Sequence, residues 1–220
     1  KGWYSFDVGT WHLVALNSNC GQIGGCGAGS PEEQWLRADL AAHPTACTLA
    51  YWHHPRFSSG AQHGSDASVD GLWRALYDYD ADVILNGHDH IYERSHKAGV
   101  YYVGTGGGGA PLYEVNVTDN PYQQVAHSAN HYVAVDVTPA SMTVTAIGID
   151  GDVLDWFVIP VSERAARRRA QEAVARVREA LRLAGDRTAV TGRARNPLGF
   201  PVAVDLSVKG DTAGEPQRAH

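Results

Sequence analysis

The sequence lacks the features that define several classes of protein. No stretch is long and apolar enough to span a membrane, and no signal peptide is recognisable. A net charge of −6 argues against non-specific nucleic-acid binding, and we predict neither a nucleic-acid nor a membrane partner. The chain also lacks an initial methionine and runs from Lys1 directly into a predicted strand. We therefore expect a fragment of a longer precursor.

Cysteine is scarce as well, with three in 220 residues. Cys20 and Cys26 flank a short glycine-rich loop, which either a disulfide or a zinc ion could close. No further Cys/His pair stands at zinc-ribbon spacing, which favours the disulfide. A disulfide suggests an oxidising compartment, so we expect a secreted or periplasmic protein. Cys47 begins a predicted buried strand and is expected to be a packed thiol.

Histidine, by contrast, is abundant: the chain has eleven, and several cluster between His53 and His96. This is the first compositional indication of metal chemistry, because neutral imidazole is a common metal ligand.

The hydrophobic pattern predicts an α/β fold. Strands are expected at 4–7, 11–17, 47–53, 81–86 and 100–104, and helices from Pro31 and over 69–79. Ser30 is a good N-cap and Pro31 a good first helical residue. The strand–helix–strand order implies a parallel sheet with crossover helices. Antiparallel strands are predicted to follow at 131–137, 141–150 and 153–159.

The composition changes after residue 161, which we take as the end of the α/β unit at 1–161. Residues 162–185 are rich in Ala, Arg and Glu and are predicted to form a helical linker. Residues 186–220 alternate like the start of a β-sandwich module that is cut off.

The most informative stretch is Leu85–Arg94, which follows a predicted buried strand. His88 and His90 are one residue apart, and on extended backbone they would point to the same side. His53 and His54 follow the neighbouring predicted strand, so the histidines should meet at one edge of the sheet. The remaining histidines that we considered are expected to be ordinary surface or half-buried residues: His12, His43, His96, His127 and His131. The glycine run 106–109 fits a loop beside the site as well as direct ligand contact.

Over residues 3–160 the chain resembles the C-terminal part of a calcineurin-like metallophosphoesterase domain, nearest the purple acid phosphatase-like branch. The string Gly87-His88-Asp89-His90-Ile91-Tyr92-Glu93-Arg94 is the specific part of this resemblance. The other matching stretches are Gly29–Leu36, Tyr51–Pro55 and Val103–Gly107. The resemblance implies a metallo-dependent phosphatase-like sandwich of two sheets flanked by helices, an α/β (α+β) architecture whose N-terminal half this chain lacks.

The resemblance also implies roles for individual residues. His53 and His88 match ligands of one metal ion, and His90 matches a ligand of a second. His63, and secondarily His54, match imidazoles that face the substrate phosphate and could donate a proton to the leaving oxygen. Glu93 and Arg94 are expected to hold the turn by ion pairing. The cofactor would be two divalent or trivalent ions of iron, zinc or manganese that activate water.

The upstream ligand motifs of that family, Asp-x-His and Gly-Asn-His among them, are missing before His53. Two later matches by letters, Gly151–Asp155 and Asn130-His131, are out of order and are taken as coincidences. We therefore expect a phosphoester hydrolase, an acid phosphatase or phosphodiesterase, that is inactive as this fragment. The alternative is a degenerate, non-catalytic binding or structural domain. A mononuclear zinc hydrolase, a third class, would need a fourth ligand from Asp89, His63 or Asp66.

Overall fold

The structure is a computed structural model, and it describes residues 2–9, 11–43, 47–116, 119–138 and 140–160. The predicted helical linker at 162–185 and the predicted β-module at 186–220 lie outside the described residues. The boundary at 161 stays a prediction for the same reason. Within the described residues, no helix is long and apolar enough to cross a membrane.

The larger sheet has seven strands in the order β1-β2-β3-β4-β6-β5-β7. These are β1 (Tyr4–Val8), β2 (Trp11–Ala15), β3 (Cys47–Tyr51), β4 (Val83–Asn86), β5 (Tyr92–Lys97), β6 (Val100–Thr105) and β7 (Gln123–His127). The four central strands, β2, β3, β4 and β6, are parallel, as the strand–helix–strand order predicts. The other three strands pair antiparallel.

The helices are α1 (Cys20–Ile23), α2 (Pro31–Ala42) and α3 (Asp70–Asp78), the last preceded by a 3₁₀ turn at Ala67–Val69. Ser30 caps α2 as predicted, because its Oγ accepts the Glu33 backbone N–H at 3.3 Å. A disulfide joins Cys20 to Cys26 across α1. Cys47 is buried at the start of β3.

The smaller sheet is antiparallel and contains β8 (His131–Val137), β9 (Ser141–Gly148) and β10 (Val153–Pro160) in the order β10-β9-β8. Its inner face packs on one face of the large sheet, in a core that includes Met142, Val144 and Phe157. Its outer face leaves Tyr132, Trp156 and Val158 exposed.

The other face of the large sheet is covered by α2 and α3. Leu36 and Leu40 from α2 and Leu72, Trp73 and Leu76 from α3 share a second core with the strands. The two-sheet sandwich expected from the sequence is therefore confirmed, with helices on one outer face of the described part. The carboxyl ends of β2, β3, β4 and β6 come together at one edge of the large sheet.

Three elements are absent from the sequence predictions. β5 continues directly from the histidine turn, β7 follows a loop, and α1 lies where a loop was expected. The pattern of β5 alternates weakly, because its polar residues Glu93 and Ser95 are buried and bonded to each other. Polar side chains on a buried strand face remove the hydrophobic alternation on which strand prediction depends.

Candidate metal centre

The histidines at the ends of β3 and β4 meet as predicted. β3 and β4 are parallel neighbours, and beyond them the Gly87 N–H donates to the His53 carbonyl at 3.0 Å. This brings His53 Nε2 to 2.9 Å from His88 Nδ1. Two imidazole nitrogens at this separation need only spread slightly to coordinate one ion, since each would lie about 2.0–2.1 Å from zinc.

His54 completes a three-imidazole cluster. One ring nitrogen from each of His53, His54 and His88 lies within 4.8 Å of the other two. Ser18 fixes His54, since its Oγ accepts the His54 backbone N–H at 3.0 Å and lies 2.8 Å from His54 Nδ1. The sequence analysis missed Ser18, although its position just past the end of β2 places it at the same edge of the sheet.

The histidine turn is not extended as predicted. His88 has φ of +67°, a left-handed conformation that is uncommon for residues other than glycine. The Asp89 N–H donates to the Gly87 carbonyl and the Ile91 N–H donates to the Asp89 carbonyl, both at 2.9 Å. His88 and His90 therefore occupy a tight double turn rather than one side of a strand. A strained backbone at such a place is typical of functional sites.

Asp89 anchors a neighbouring loop to this turn. Its buried carboxylate accepts hydrogen bonds from Ser58 Oγ at 2.6 Å, the His63 N–H at 3.2 Å and the Gly64 N–H at 3.0 Å. The His63 ring then stacks on His88, with centroids 3.9 Å apart. Asp89 is thus committed to loop 58–64, and Asp66 accepts the Ser68 N–H at 2.8 Å. These contacts do not favour either carboxylate as the fourth ligand of a mononuclear zinc site.

His90 lies beside a different loop. Its Nδ1 donates to the Pro111 carbonyl at 2.7 Å, which directs Nε2 as the acceptor nitrogen. The Tyr113 ring stacks on His90 with centroids 4.2 Å apart and also contacts His63 edge-on at 5.6 Å. Tyr113 is a second residue that the sequence analysis missed. Its only signal is its position in the loop that follows β6 at the same edge.

Arg94 forms an ion pair as expected, whereas Glu93 accepts hydrogen bonds from neutral groups instead. Glu93 is buried and accepts from Ser59 Oγ at 2.8 Å and Asn120 Nδ2 at 2.6 Å. Burial raises the Glu93 pKa, and these hydrogen bonds partly offset the rise. Arg94 pairs with Asp155 of β10, its Nε 2.6 Å from Asp155 Oδ2.

The electrostatics favour neutral imidazoles at His53 and His88. Burial lowers the pKa of His53, and the nearby imidazoles of His54, His63 and His90 lower it further. The His88 pKa is lowered in the same way, first by burial and then by its histidine neighbours. Neutral imidazole is the form that binds metal.

Asn130 and His131 pack against the glycine run at 106–109 and support its backbone. Gly107 packs so closely on His131 that a Cβ there would meet His131 Nδ1 at 2.5 Å. His131 uses Nδ1 on the Ala129 carbonyl at 2.8 Å and Nε2 on Thr105 Oγ1 at 3.1 Å. His131 is buried rather than half-exposed. Asn130 likewise donates to the Gly107 carbonyl.

His12 also differs from the expectation of an ordinary surface or half-buried histidine. It is fully buried on β2, and both of its ring nitrogens face carboxylates, those of Asp7 and Asp39. It lies far along the strand from the cluster of His53, His54 and His88.

Comparison with known proteins agrees with this geometry. The chain is 32% identical over 120 residues to purple acid phosphatase 15 of Arabidopsis thaliana. This alignment covers 49% of this chain and 22% of that protein. A purple acid phosphatase from yellow lupin superposes with a TM-score of 0.62 at 19% identity, over 72% of this chain and 32% of the other. GAP50 of Plasmodium superposes with a TM-score of 0.59 at 14% identity, over 75% of this chain and 60% of the GAP50 chain. No family model matches the chain.

The fold and the sequence similarity together indicate the class: over part of a domain, the chain is similar to calcineurin-like metallophosphoesterases. Within that class, its relatives by sequence include purple acid phosphatases.

The class implies two metal ions, and the described donor set suits part of such a centre. His53, His54 and His88 each offer one imidazole nitrogen, and these three atoms lie within 4.8 Å of one another. No carboxylate of the described residues belongs to this group of donor atoms. Three imidazoles fit one cation, whereas a pair of adjacent cations would need bridging and charge-balancing oxygen ligands as well.

Proposed function

We propose that this chain is the C-terminal part of a metal-dependent phosphoester hydrolase with a dinuclear centre. The observation that carries the proposal is the convergence of His53, His54 and His88 at the carboxyl ends of two parallel strands. The short match to purple acid phosphatase 15, which spans 22% of that protein, supports a larger parent domain. The apolar outer face of the small sheet, with Trp156 62% exposed, supports the same conclusion.

In this proposal His53 and His88 are ligands of one metal ion, and His90 is a ligand of the other through Nε2. The Pro111 carbonyl holds the His90 tautomer that this role requires. The remaining ligands, carboxylates in particular, would come from a part of the parent protein that precedes these residues. The chain alone would then bind metal weakly and be inactive.

His63 and His54 are the proposed substrate-facing residues. His63 is oriented by its stack on His88 and by the Asp89 carboxylate, which holds its backbone N–H. His54 is oriented by Ser18. Either imidazole could hydrogen-bond a phosphate oxygen and deliver a proton to the leaving oxygen. The metal ions, of iron, zinc or manganese, would supply Lewis acidity and a water of lowered pKa.

The expected substrate is a small phosphoester, with no nucleic-acid or membrane partner. We propose a secreted or periplasmic location, which the Cys20–Cys26 disulfide supports.

A second candidate is a degenerate domain that binds or anchors without catalysis. The absence of a carboxylate from the described cluster favours it. The same fold also occurs in GAP50, which is described as an anchor in the inner membrane complex of Plasmodium. The fold therefore does not decide between catalysis and binding, and the ligands in the parent protein must.

The test compares this chain with its parent protein carrying the preceding residues. Both are measured for metal content and for hydrolysis of an aryl phosphate and an aryl phosphodiester. We expect the parent protein to hold about two metal ions and to hydrolyse at least one of the two esters. His88→Ala should abolish both properties, whereas the matched control His127→Ala, on the edge strand β7, should change neither.

A parent protein that binds no metal and hydrolyses neither ester would overturn the hydrolase proposal. The histidines would then be relics in a binding domain. A parent protein that binds one metal ion, rather than two, and still hydrolyses an ester would instead favour a mononuclear zinc hydrolase.

A further inference from the structure

A second group of histidines and carboxylates lies at the opposite edge of the large sheet. Asp7 from β1, His12 from β2 and His43 at the end of α2 each offer a ligand atom within 4.8 Å of the other two. α2 runs antiparallel to the parallel strands, so its C-terminal end lies away from their carboxyl ends. This group therefore shares no residue with the cluster of His53, His54 and His88.

Asp39 contacts both imidazoles without being a ligand itself, and it holds His12 in place. Its Oδ2 lies 2.8 Å from His12 Nε2, and its carbonyl oxygen lies 2.8 Å from His43 Nδ1. Its remaining carboxylate oxygen accepts from Ser5 Oγ at 2.8 Å. Hydrogen bonds of this kind to a carboxylate or a carbonyl fix the tautomer of metal-binding histidines. For His12 the hydrogen bond to Asp39 leaves Nδ1 as the ligand nitrogen, and one ring nitrogen of His43 lies within 4.8 Å of the other two ligand atoms.

The contact between His12 and Asp7 needs a positive centre. When Nε2 donates to Asp39, the lone pair of Nδ1 faces an Asp7 carboxylate oxygen at 2.8 Å. Two electron-rich atoms at this distance must share a proton or a metal ion. An ion that is bound about 2.0–2.1 Å from each requires only a small widening of this separation.

The surroundings allow an ion to enter. His12 is fully buried, but the Asp7 side chain is 57% exposed and the His43 side chain 35% exposed. The His12 and His43 rings stack with centroids 4.2 Å apart and nearly parallel planes. His43 must therefore turn its ring toward Asp7 to coordinate, and in doing so it exchanges its contact with the Asp39 carbonyl for the metal ion.

We propose that Asp7, His12 and His43 form a second metal site, for a divalent ion of the zinc class, that is separate from the proposed hydrolytic centre. Two imidazoles and one carboxylate are a ligand set that suits zinc, with water in the fourth position. The site would join β1, β2 and the end of α2, and so would act on stability rather than on hydrolysis.

The test uses the full chain with His53→Ala and His88→Ala, so that the first cluster cannot contribute. Calorimetric titration with Zn²⁺ alone should show about one ion bound, and Co²⁺ should give a tetrahedral absorption spectrum. Adding Asp7→Asn and His43→Phe should weaken Zn²⁺ binding at least about tenfold. Phe keeps the stack on His12, and both positions are exposed enough to be changed without unfolding the chain. Asp150→Asn, in an exposed turn, is the matched charge control and should leave binding unchanged.

A measurement without substitutions guards against a misfolded variant. Zn²⁺ should protect His43 from modification by diethyl pyrocarbonate, as read by mass spectrometry, and should leave His127 reactive. Binding that persists with Asp7→Asn and His43→Phe, or His43 that stays reactive under saturating Zn²⁺, would overturn the proposal.

Discussion

The two edges of the large sheet hold histidines in opposite electrostatic surroundings. At the carboxyl edge, His53 and His88 face other imidazoles, and their pKa values are lowered by burial and by those neighbours. At the other edge, His12 is more deeply buried but has a carboxylate on each ring nitrogen. The imidazoles of His53 and His88 therefore lie mainly among other imidazoles, whereas both ring nitrogens of His12 face carboxylate oxygens at 2.8 Å.

This difference separates a site made of imidazoles from one that also contains carboxylates. Among the described residues, the donor atoms of the carboxyl-edge cluster are all imidazole nitrogens. The opposite cluster has both kinds of donor within the chain. Substitutions that affect one edge and spare the other test this contrast directly.

Gly106→Ala should have the largest effect and should damage the carboxyl edge alone. A Cβ at Gly106 would lie 2.1 Å from the Asp89 carbonyl oxygen, so the histidine turn must move. We expect a loss of more than about 3 kcal/mol in the free energy of unfolding, since backbone cannot yield as a side chain can.

The measurement is denaturant unfolding, followed by Zn²⁺ titration of the refolded variant. The control is Gly108→Ala, where a Cβ has no neighbour within 4 Å and the change should stay within about 0.5 kcal/mol. Equal effects of the two substitutions would mean that the turn tolerates displacement.

The sequence predicts the strands and helices that carry the two histidine groups better than it predicts the contacts within each group. Hydrophobic runs and the Ser30 cap locate β2, β3, β4, α2 and α3, and the strand order places His53 beside His88. The histidine turn could not be predicted, because the conformation of His88 depends on hydrogen bonds within the turn. The environment of His12 depends on Asp39, which is distant in sequence and reaches it only when α2 packs on the sheet. Tyr113 and Ser18 become visible for the same reason, after the loops are in place.

Glu32 can be compared with the histidines of both edges. It is a fully buried carboxyl group that, in the described contacts, faces neither an imidazole nor an arginine. Its Oε1 accepts the Asn17 N–H, while Oε2 has no partner among the described residues. Burial raises its pKa from 4.5 to about 7. The folded chain therefore keeps a proton that the unfolded chain loses as the pH rises from 4.5 to 7, so the free energy of unfolding should fall over that window by about 3 kcal/mol.

Above that window the contribution of Glu32 should be constant, because both states are then ionised. Glu32→Gln should remove the fall, since the amide retains the acceptor for Asn17 and does not titrate. Unfolding free energies at pH 4.5 and pH 8 measure the effect. Glu114→Gln, at an exposed position, is the control and should preserve the full pH dependence. A fall of the same size in Glu32→Gln would assign it to another group.

Replacing one histidine at each edge tests the contrast most directly. His12→Asn should cost about 2 kcal/mol, because the largely buried Asp39 carboxylate loses its imidazole donor. His88→Asn should cost less than about 1 kcal/mol, because its neighbours are imidazoles at a partly exposed edge and Asn tolerates a positive φ. Thermal or denaturant unfolding of the two variants without added metal gives both numbers. The reverse order would show that the carboxylates do not stabilise His12.

The smallest effect should come from the Tyr113 side chain, whose ring stacks on His90 and contacts His63 edge-on, while the Tyr113 backbone N–H donates to the His90 carbonyl at 3.2 Å and is kept in any variant. Tyr113→Leu should lower the free energy of unfolding by about 0.5–1 kcal/mol, the usual contribution of a stacked aromatic pair. Tyr113→Phe keeps the ring and should leave the stability unchanged. Stacking orients an imidazole without changing its charge, whereas a carboxylate on each side can also hold a proton or a metal ion. A loss for Tyr113→Leu that equals or exceeds the loss for His12→Asn would therefore place packing above charge in holding these histidines.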